Sequence, residues 1–469
     1  MRLRSCLIAR RKLETTRNEK ETCQRARNDF AARTCQNTVS MPVSVTEDQR
    51  CVNKEILPNG LVVLTEPMEH VHSVSVGIWL RTGSRREPAE LNGISHFIEH
   101  MLFKGTQRRS AEDIAREMDS VGGMLDAFTA KEMVCFNSRV LDEHLPRAFD
   151  VIADMVLDPR FATEDIDREK SVILEEIGMT QDNPEDLVHE LFTQNLWNRN
   201  ALGKPILGTP ETVSELTRES LQSWFRRCYS PNSLVITAAG HLDHTEFMQL
   251  VNERFGKLAP TTDPVPDPIP VAAPHVTLRT KHELEQVHIC LGVPALPLTD
   301  PRRFVVSVLN NVLGGGMSSR LFQNIREKQG LAYAIFSEMN SYRDTGLLSV
   351  YAGTSLETAA QLVRSVLEEL RRIKDEPLND EELRRAKDHL KGATLLALEG
   401  TGSRMSSLAR YHIYFDRHFT AQDLIALLEK VTSEDVQQLA RELFQSERLS
   451  ASVVGNLDGF QLTPAQLTL

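Results

Sequence analysis

The amino-acid sequence predicts an α+β protein of two homologous lobes, each a mostly antiparallel sheet flanked by helices. The first observation is an internal duplication: residues 234–243 (LVITAAGHLD) are matched by residues 449–458 (LSASVVGNLD), 215 positions later. Residues 71–77 are matched near residue 287 at almost the same offset, so the beginnings and the ends of the two copies are the same distance apart in sequence. The second observation is a stretch with six prolines at 260–275, which predicts an extended linker between the copies.

Composition and charge exclude several classes of protein. The chain has 469 residues, of which 41% are hydrophobic and 25% charged, as in ordinary globular proteins. It contains no apolar run of about 18 residues, so we expect no helix that crosses a membrane. The net charge of −11 disfavours non-specific binding to nucleic acid. We therefore expect neither a membrane nor a nucleic acid as partner.

The first 50 residues differ from the rest in charge. They carry a net charge of +5, which leaves −16 for the remainder. The apolar run at 5–9 is too short for a secretory signal, and acidic residues such as Glu14 and Asp29 argue against a mitochondrial transit peptide. We predict a poorly ordered N-terminal extension at 1–50, or an upstream extension with synthesis starting at Met41. The expected location is the bacterial cytoplasm, with the mitochondrial matrix as the alternative if the tail is a transit peptide.

Alternation and helix-boundary signals predict the elements of the first lobe. Residues 71–80 alternate as a half-buried strand does, and Ser110 is placed to cap a helix that Gly122 and Gly123 end. The predicted elements are a strand at 71–80, helices at 93–104 and 110–118, an extended segment at 124–140, and helices at 142–157, 163–180 and 184–197.

The strongest chemical signal is the sequence HFIEH at residues 96–100. Helical periodicity places the apolar residues of 94–102 on one face and His96, Glu99 and His100 on the other. A lone histidine is usually a satisfied core residue, but these two lie off the core face, one turn apart. Two imidazoles at i and i+4 can reach one zinc ion at about 2.0–2.1 Å. The pattern HxxEH inverts the HExxH motif of zinc proteases and predicts a metal site.

A catalytic zinc usually has three protein ligands, and the helix predicted at 163–180 offers carboxylates for the third. Its apolar residues define the expected buried face: Ile166, Val172, Ile173, Leu174 and Ile177. Glu169 and Glu176 fall on that face, whereas Glu175 points toward solvent. A carboxylate on a buried face is costly unless it is paired or bound to a metal. We therefore expect Glu176 or Glu169 as the third ligand, with an ion pair to Arg or Lys as the alternative.

These features resemble the pitrilysin/insulinase family of inverted-motif zinc endopeptidases. Within it, the closer branch is that of mitochondrial processing peptidase and its bacterial relatives. The resemblance rests on HFIEHMLFKGT at 96–106 and VILEEI at 172–177, and it extends over about residues 53–460.

The resemblance assigns roles by position. His96, His100 and Glu176 match the family's zinc ligands, with one zinc ion per chain, and Glu99 matches the general base. Glu169 matches a carboxylate that orients a ligand and does not bind the metal itself. The implied function is that of a zinc metalloendopeptidase that hydrolyses peptide bonds in unfolded peptides or protein segments.

The second half of the chain resembles the family's lobe without zinc. The position aligned with the zinc motif, around 309–311, has no HxxEH pattern. Arg326 and Tyr333 match an Arg/Tyr pair that faces substrate at the cleavage site in the family, and we expect them to take part in catalysis. The predicted domains are the N-terminal extension at 1–50, a catalytic zinc-binding lobe at 51–259, the linker at 260–275 and a degenerate lobe at 276–469.

Two segments are expected to contact substrate. Residues 123–132 resemble the segment whose edge strand pairs with substrate in the family; Asp126 stands there where asparagine is usual, and it can accept a hydrogen bond. The glycine-rich stretch at 314–316 corresponds to a loop that contributes to substrate handling in the processing peptidases, and by itself it is equally well explained as a flexible turn. The residues predicted to bind substrate are Asp126, Ala127, Phe128, Thr129, Gly314, Gly315 and Gly316.

The resemblance also implies a dimer, because relatives close two such two-lobed units around a chamber. One chain holds both the zinc motif and the Arg/Tyr pair, so we expect a homodimer in which Arg326 and Tyr333 act in trans. Two alternatives stay open. One is a catalytic subunit that needs a different partner chain, and the other is a non-catalytic core subunit related to processing peptidases, which the intact motif disfavours.

Overall fold

The computed structural model describes residues 52–261 and 267–469. Two sheets with helices packed on them make up this part of the chain, so the predicted α+β class with two lobes is confirmed. The predicted N-terminal extension and part of the proline-rich linker lie outside the described residues. No helix among the described residues is long and apolar enough to cross a membrane.

The first lobe is built on a six-stranded sheet. Its strands are β1 (Asn53–Ile56), β2 (Val62–Pro67), β3 (Ser73–Leu80), β4 (Met124–Thr129), β5 (Val134–Leu141) and β6 (Leu234–Gly240). Their order is β1-β2-β6-β3-β5-β4, and β2 and β6 are the one parallel pair in this described sheet. Strand β4 is therefore at an edge, with β5 as its neighbour.

The helices of the first lobe follow the predicted pattern closely. They are α1 (Ile94–Leu102), α2 (Ala111–Asp119), α3 (Leu145–Leu157), α4 (Thr163–Asp182), α5 (Pro184–Leu196), α6 (Pro210–Glu215), α7 (Arg218–Cys228) and α8 (His244–Phe255). Ser110 caps α2 through a capping box with Asp113, as expected. The extended segment predicted at 124–140 is instead the hairpin of β4 and β5, because Ala130 bonds back to Met133 and turns the chain.

The second lobe has a five-stranded sheet. Its strands are β7 (Val276–Thr280), β8 (Val287–Ala295), β9 (Ala334–Ser341), β10 (Gly346–Thr354) and β11 (Ser450–Gly455). Its helices are α9 (Arg303–Gly314), α10 (Leu356–Asp375), α11 (Asp380–Ala397), α12 (Thr401–Phe415), α13 (Ala421–Glu429) and α14 (Ser433–Leu443). The strand order is β7-β11-β8-β10-β9.

The two sheets repeat one topology. The order β2-β6-β3-β5-β4 of the first sheet corresponds strand for strand to β7-β11-β8-β10-β9, and the parallel pair occupies the same place in both. Gly240 and Gly455 end the matching strands β6 and β11. A side chain at Gly240 would meet the carbonyl oxygen of Ser73 at 2.2 Å, and one at Gly455 would meet that of Gln286 at 2.8 Å. The same close approach of backbones explains why the sequence duplication includes this glycine.

Each lobe also contributes a helix that packs on the sheet of the other lobe. Helix α12 of the second lobe packs on β2, β3 and β6, where Met405 and Leu408 join the apolar cluster around Trp79. Helix α5 of the first lobe packs on β8 and β11, where Phe192 contributes to a cluster with Tyr351. The sequence does not reveal this exchange, because an amphipathic pattern shows that a face is buried and not which sheet buries it. The domain boundaries given from the sequence, at 51–259, 260–275 and 276–469, stay predictions.

A buried arginine joins the lobes by ion pairs. The guanidinium of Arg85, only 1% exposed, lies 2.6 Å from Glu132 Oε1, 2.8 Å from Asp267 Oδ1 and 2.6 Å from Asp344 Oδ2. Glu132 follows β4, Asp267 lies in the linker region, and Asp344 lies in the turn between β9 and β10. One cation thus connects the first lobe, the linker and the second lobe.

Candidate metal centre

Helix α1 contributes residues of the HxxEH motif to the lining of a cleft. Its apolar face is buried as predicted, with all five residues at most 1% exposed: Ile94, Phe97, Ile98, Met101 and Leu102. His96, Glu99 and His100 are half-buried on the other face. The helical periodicity therefore predicted the orientation of all three polar side chains correctly.

The start of α1 is held by a buried carboxylate that sequence reasoning missed. Glu87, 4% exposed, accepts hydrogen bonds from the backbone N–H groups of Gly93 (2.7 Å) and Ser95 (2.8 Å) and from the amide of Asn92 (3.1 Å). Burial raises the pKa of Glu87, and these donors oppose the rise. An anion at a helix N-terminus is favourable there. Glu87 lies seven residues before the helix, outside the usual spacing of capping residues, so the pattern gave no signal.

Helix α4 brings Glu176 to the two histidines. Glu176 Oε2 lies 3.8 Å from His96 Nε2 and 3.6 Å from His100 Nε2, and one donor atom from each residue falls within 4.8 Å of the others. Glu175 is exposed, as predicted. Val172, expected on the buried face, is 42% exposed, because the buried arc of α4 ends at the carboxylates that line the site.

Glu169 supports the cluster from its buried side. One oxygen, Oε2, lies 3.0 Å from Nδ1 of His100, and the other, Oε1, lies 2.8 Å from the ammonium of Lys104. An ionised carboxylate only accepts, so the Nδ1–H of His100 donates to Glu169, and Nε2 is the ring nitrogen that faces Glu176. Of the two candidates for third ligand, Glu176 thus lies with the histidines and Glu169 behind one of them.

The donor set fits a zinc ion. Two imidazole nitrogens and one carboxylate oxygen are a common set for catalytic zinc, which keeps a further position open. Burial, together with the nearby His100, lowers the pKa of His96 to about 4, so the imidazole is neutral at neutral pH and can donate a lone pair. The residues that would hold the ion are His96, His100 and Glu176.

Glu99 lies between the cluster and the edge strand. The hydroxyl of Thr129 on β4 donates a hydrogen bond to Glu99 Oε2. Burial raises the pKa of Glu99, and this hydrogen bond works in the opposite direction. Ala127 and Phe128 line the cleft beside Thr129, and Asp126 faces a smaller cavity of about 260 Å³ behind His100. The predicted strand segment is therefore adjacent to the predicted base.

The cleft has a volume of about 740 Å³ and extends from His96 and Glu99 to α5 and β9. Four more carboxylates line it: Glu185, Asp186, Glu190 and Glu338. Lys131 also lines it, and burial lowers the pKa of this amine to about 8. Sequence reasoning missed these residues. Glu185 and Asp186 lie in the first turn of α5, where acidic residues are normally explained by the helix dipole. Glu190, Glu338 and Lys131 are single charges on three different elements, and only the fold brings them to one cleft.

Arg326 and Tyr333 lie together and do not line this cleft. Arg326 is in a π-helical turn at Phe322–Glu327, and its guanidinium carbon is 5.3 Å from the ring centre of Tyr333. Tyr333 is 82% exposed. Neither side chain belongs to the cleft lining around His96 in the described part of the chain.

The glycine-rich stretch has a packing explanation at its first residue. Gly314 is buried at the end of α9, and a side chain there would meet the backbone nitrogen of Ser337 on β9 at 2.3 Å. Gly315 and Gly316 are exposed. The predicted role of the three glycines in substrate binding stays a prediction.

Comparison with known proteins assigns this architecture to a family. Residues 62–210 match the family described as insulinase (peptidase family M16), and residues 215–390 match the peptidase M16 inactive domain. An uncharacterized zinc protease of Streptomyces coelicolor is 42% identical over 413 residues, which cover 87% of this chain and 90% of the relative. The chain belongs to the pitrilysin/insulinase (M16) family. The predicted family is thus confirmed.

Another relative supports the assignment to M16, and two solved structures share the fold. An uncharacterized zinc protease of Bacillus subtilis is 40% identical over 389 residues, covering 83% of this chain and 95% of the relative. A protease from Helicobacter pylori of known structure has a TM-score of 0.80 at 19% identity, over 86% of this chain and 99% of that one. A peptidase M16 inactive domain from Pseudomonas fluorescens has a TM-score of 0.81 at 19% identity, over 86% and 98%. These two structures show the shared fold.

Proposed function

We propose that this M16 protein is a zinc metalloendopeptidase that hydrolyses peptide bonds in unfolded peptides or protein segments. The proposal rests on one observation, the convergence of donor atoms from His96, His100 and Glu176 within 4.8 Å, beside Glu99 on the same helix. The relatives named zinc proteases support the class of reaction. When bound, one zinc ion per chain supplies Lewis-acid polarisation of the scissile carbonyl and a lowered pKa for water at the site.

The chain's own residues then move the proton. Thr129 occupies Oε2 of Glu99, so Oε1 is the oxygen that takes a proton from the attacking water and returns it to the leaving amine. Burial of Glu99 raises its pKa, which suits a group that must both accept and release a proton. Glu169 holds the ring of His100 in one orientation throughout.

The cleft supports an extended peptide as substrate. In the described sheet, β4 has β5 on one side and an open edge on the other, and a peptide can add there as a further strand. Main-chain pairing of this kind accepts many sequences. The carboxylates of α5 and β9 favour a basic side chain in the part of the peptide that lies over them.

The proposed assembly is a homodimer in which Arg326 and Tyr333 act on the zinc site of the partner. Its support is their mutual contact, the high exposure of Tyr333 and the absence of both residues from the described cleft lining of their own chain. An exposed Arg/Tyr pair of this kind can donate hydrogen bonds to a developing oxyanion. The bacterial cytoplasm stays the predicted location.

The function is tested with the variant Glu99→Gln. We expect it to bind zinc as the natural chain does and to lose cleavage of an unstructured peptide by about 10²–10⁴-fold. Unchanged cleavage would reject Glu99 as the base. Failure of the natural chain to bind zinc would reject the metal centre and favour the non-catalytic core subunit instead.

The assembly is tested by mixing two inactive variants. Glu99→Gln and Arg326→Ala chains are each expected to lack activity as homodimers. If sites are shared between subunits, mixed dimers contain one intact site and recover part of the activity. No recovery with confirmed mixing contradicts action in trans, and activity only on addition of an unrelated chain favours the heterodimer.

A further inference from the structure

A second group of metal-type donors lies at one end of the first sheet. Among the described residues, two groups of His, Asp or Glu side chains bring three donor atoms within 4.8 Å of one another: the cluster in the cleft, and His72 with Asp142 and His241. The second group consists of two imidazoles and one carboxylate, the same set as the first. The peptidase mechanism proposed for the cleft involves none of these three residues.

The sheet itself fixes the backbone of these three residues. His72 directly precedes β3, Asp142 directly follows β5, and His241 directly follows β6. These strands are neighbours in the order β6-β3-β5, and both pairings are antiparallel, so the start of β3 lies beside the two ends. The N–H of Asp142 donates to the carbonyl of His72 at 3.1 Å, and that of His241 to the carbonyl of Ser73 at 3.1 Å.

The three side chains are close enough to bind one ion together. His241 Nδ1 is hydrogen-bonded to Asp142 Oδ2, and His72 contributes the third donor. With zinc bonds of about 2.0–2.1 Å, donors in a tetrahedral site lie about 3.4 Å apart, so the present spacing needs only small side-chain rotations. His72 is exposed and the His241 side chain is 47% exposed, which leaves both rings room to turn. The hydrogen bond between His241 and Asp142 explains why these two side chains lie together, but it does not explain why His72 lies beside them.

This group is separate from the cleft. Thr129, which bonds to Glu99, pairs with Val134 at the first end of β5, and Asp142 lies beyond the other end of that strand. Eight residues of strand at about 3.3 Å each put the two places roughly 26 Å apart along β5. An ion at one place therefore cannot share ligands with the other.

We propose that His72, Asp142 and His241 form a surface site for a divalent first-row metal ion, with zinc or nickel as the fitting class. Imidazole and carboxylate donors suit such ions. Bound metal would tie together the ends of β3, β5 and β6, and would stabilise the catalytic lobe because the folded chain alone assembles the three donors. The inference does not depend on the proposed peptidase activity.

The experiment uses the full chain with His96→Gln and His100→Gln, which removes the cleft cluster. Calorimetric titration with zinc chloride should give about one bound ion per chain in this background, together with a rise in the melting temperature. Adding His241→Ala should abolish both effects, and adding His72→Ala or Asp142→Asn should weaken binding by at least about tenfold. Circular dichroism without metal verifies that each variant is folded.

Neighbouring histidines provide matched controls. His70→Ala and His144→Ala remove imidazoles two residues from His72 and Asp142 and should leave the stoichiometry and affinity unchanged. The proposal is wrong if the cleft-deficient background binds no zinc, or if its binding survives both His72→Ala and His241→Ala. It is also wrong if the two control variants reduce binding as much as His241→Ala does.

Discussion

The hydroxyl of Thr129, on the edge strand of the first sheet, donates a hydrogen bond to Glu99 Oε2 on the helix that carries both histidines. This contact links the strand that would bind substrate to the group that would move the proton. A peptide added along β4 would thus lie beside the base.

Thr129→Val should move the acidic limb of the kcat/KM profile to higher pH. The hydroxyl stabilises the ionised carboxylate and lowers its pKa, so its removal raises the pKa of Glu99 further. A base must be unprotonated to act, and activity is lost as pH falls through its pKa. Above the limb the variant should stay active, unlike Glu99→Gln. Thr129→Ser keeps the hydroxyl and should retain the natural profile; a limb shifted to lower pH in the valine variant would contradict the assignment.

The two adjacent glutamates of α4 should differ sharply in their effect on zinc binding. Glu176→Gln removes a donor atom and should weaken zinc affinity by more than about 100-fold, whereas Glu175→Gln changes an exposed side chain and should have no effect. Glu169→Gln should cost about 10–100-fold, because it acts through the ring of His100. Competition with a chromophoric chelator measures all three. Equal effects at Glu175 and Glu176 would exclude the proposed ligand set.

Removal of the Glu87 carboxylate should loosen the start of α1, the helix that carries the HxxEH motif. Glu87→Ala leaves the buried N–H groups of Gly93 and Ser95 without their acceptor, and should lower the free energy of unfolding by about 2–3 kcal/mol. Zinc affinity should fall with it, since His96 follows directly. Glu90→Ala, at an exposed position three residues later, is the control for urea unfolding and zinc titration. A stable variant with natural zinc affinity would show that the helix start does not depend on this cap.

The buried cation between the lobes should be essential for stability. Arg85→Met leaves three carboxylates without their shared cation, and should lower the free energy of unfolding by about 3–5 kcal/mol. Arg86→Ala breaks a more exposed pair with Asp267 and should cost less than about 1 kcal/mol. Urea denaturation followed by tryptophan fluorescence compares the two. Similar losses in both variants would mean that the buried cluster contributes no more than a surface pair.

The acidic wall of the cleft should determine the preference for basic peptides. The double variant Asp186→Asn, Glu190→Gln should lower kcat/KM for arginine-containing peptides by about tenfold or more, with little change for neutral peptides of the same length. Asp182→Asn, whose side chain is 87% exposed on the preceding helix, is the control. A uniform loss on all peptides would point to damage of the site and not to a charge preference.

The sequence predicted those parts of the site that depend on local periodicity. One helical repeat placed His96, Glu99 and His100 on the face opposite the core, and another separated Glu175 from Glu176. The same reasoning failed at Val172, because a periodic pattern cannot tell a buried arc from the rim of a cleft. It also took two strands for one extended segment, since the turn at 130–133 contains no glycine, proline or asparagine.

Other parts of the site arise from contacts distant in sequence. Thr129 meets Glu99 across 30 positions and His100 meets Glu169 across 69, and neither distance follows from spacing alone. Helical periodicity made Glu169 one of two candidates for the third ligand, and only the resemblance to a family suggested that it orients a ligand instead. Glu87 and Lys131 gave no signal at all, because a single buried charge has no pattern that distinguishes it from a surface charge.

The reciprocal packing of α5 and α12 has a consequence for the history of the chain. Cutting the protein at the linker would not release two working halves, because each sheet would lose the helix that shields its second face and expose apolar side chains such as Trp79 or Tyr351 to water. After such an exchange was established, neither copy could be discarded. The second lobe has no HxxEH pattern around 309–311, and its packing on the first sheet is by itself a sufficient reason for the chain to keep both copies.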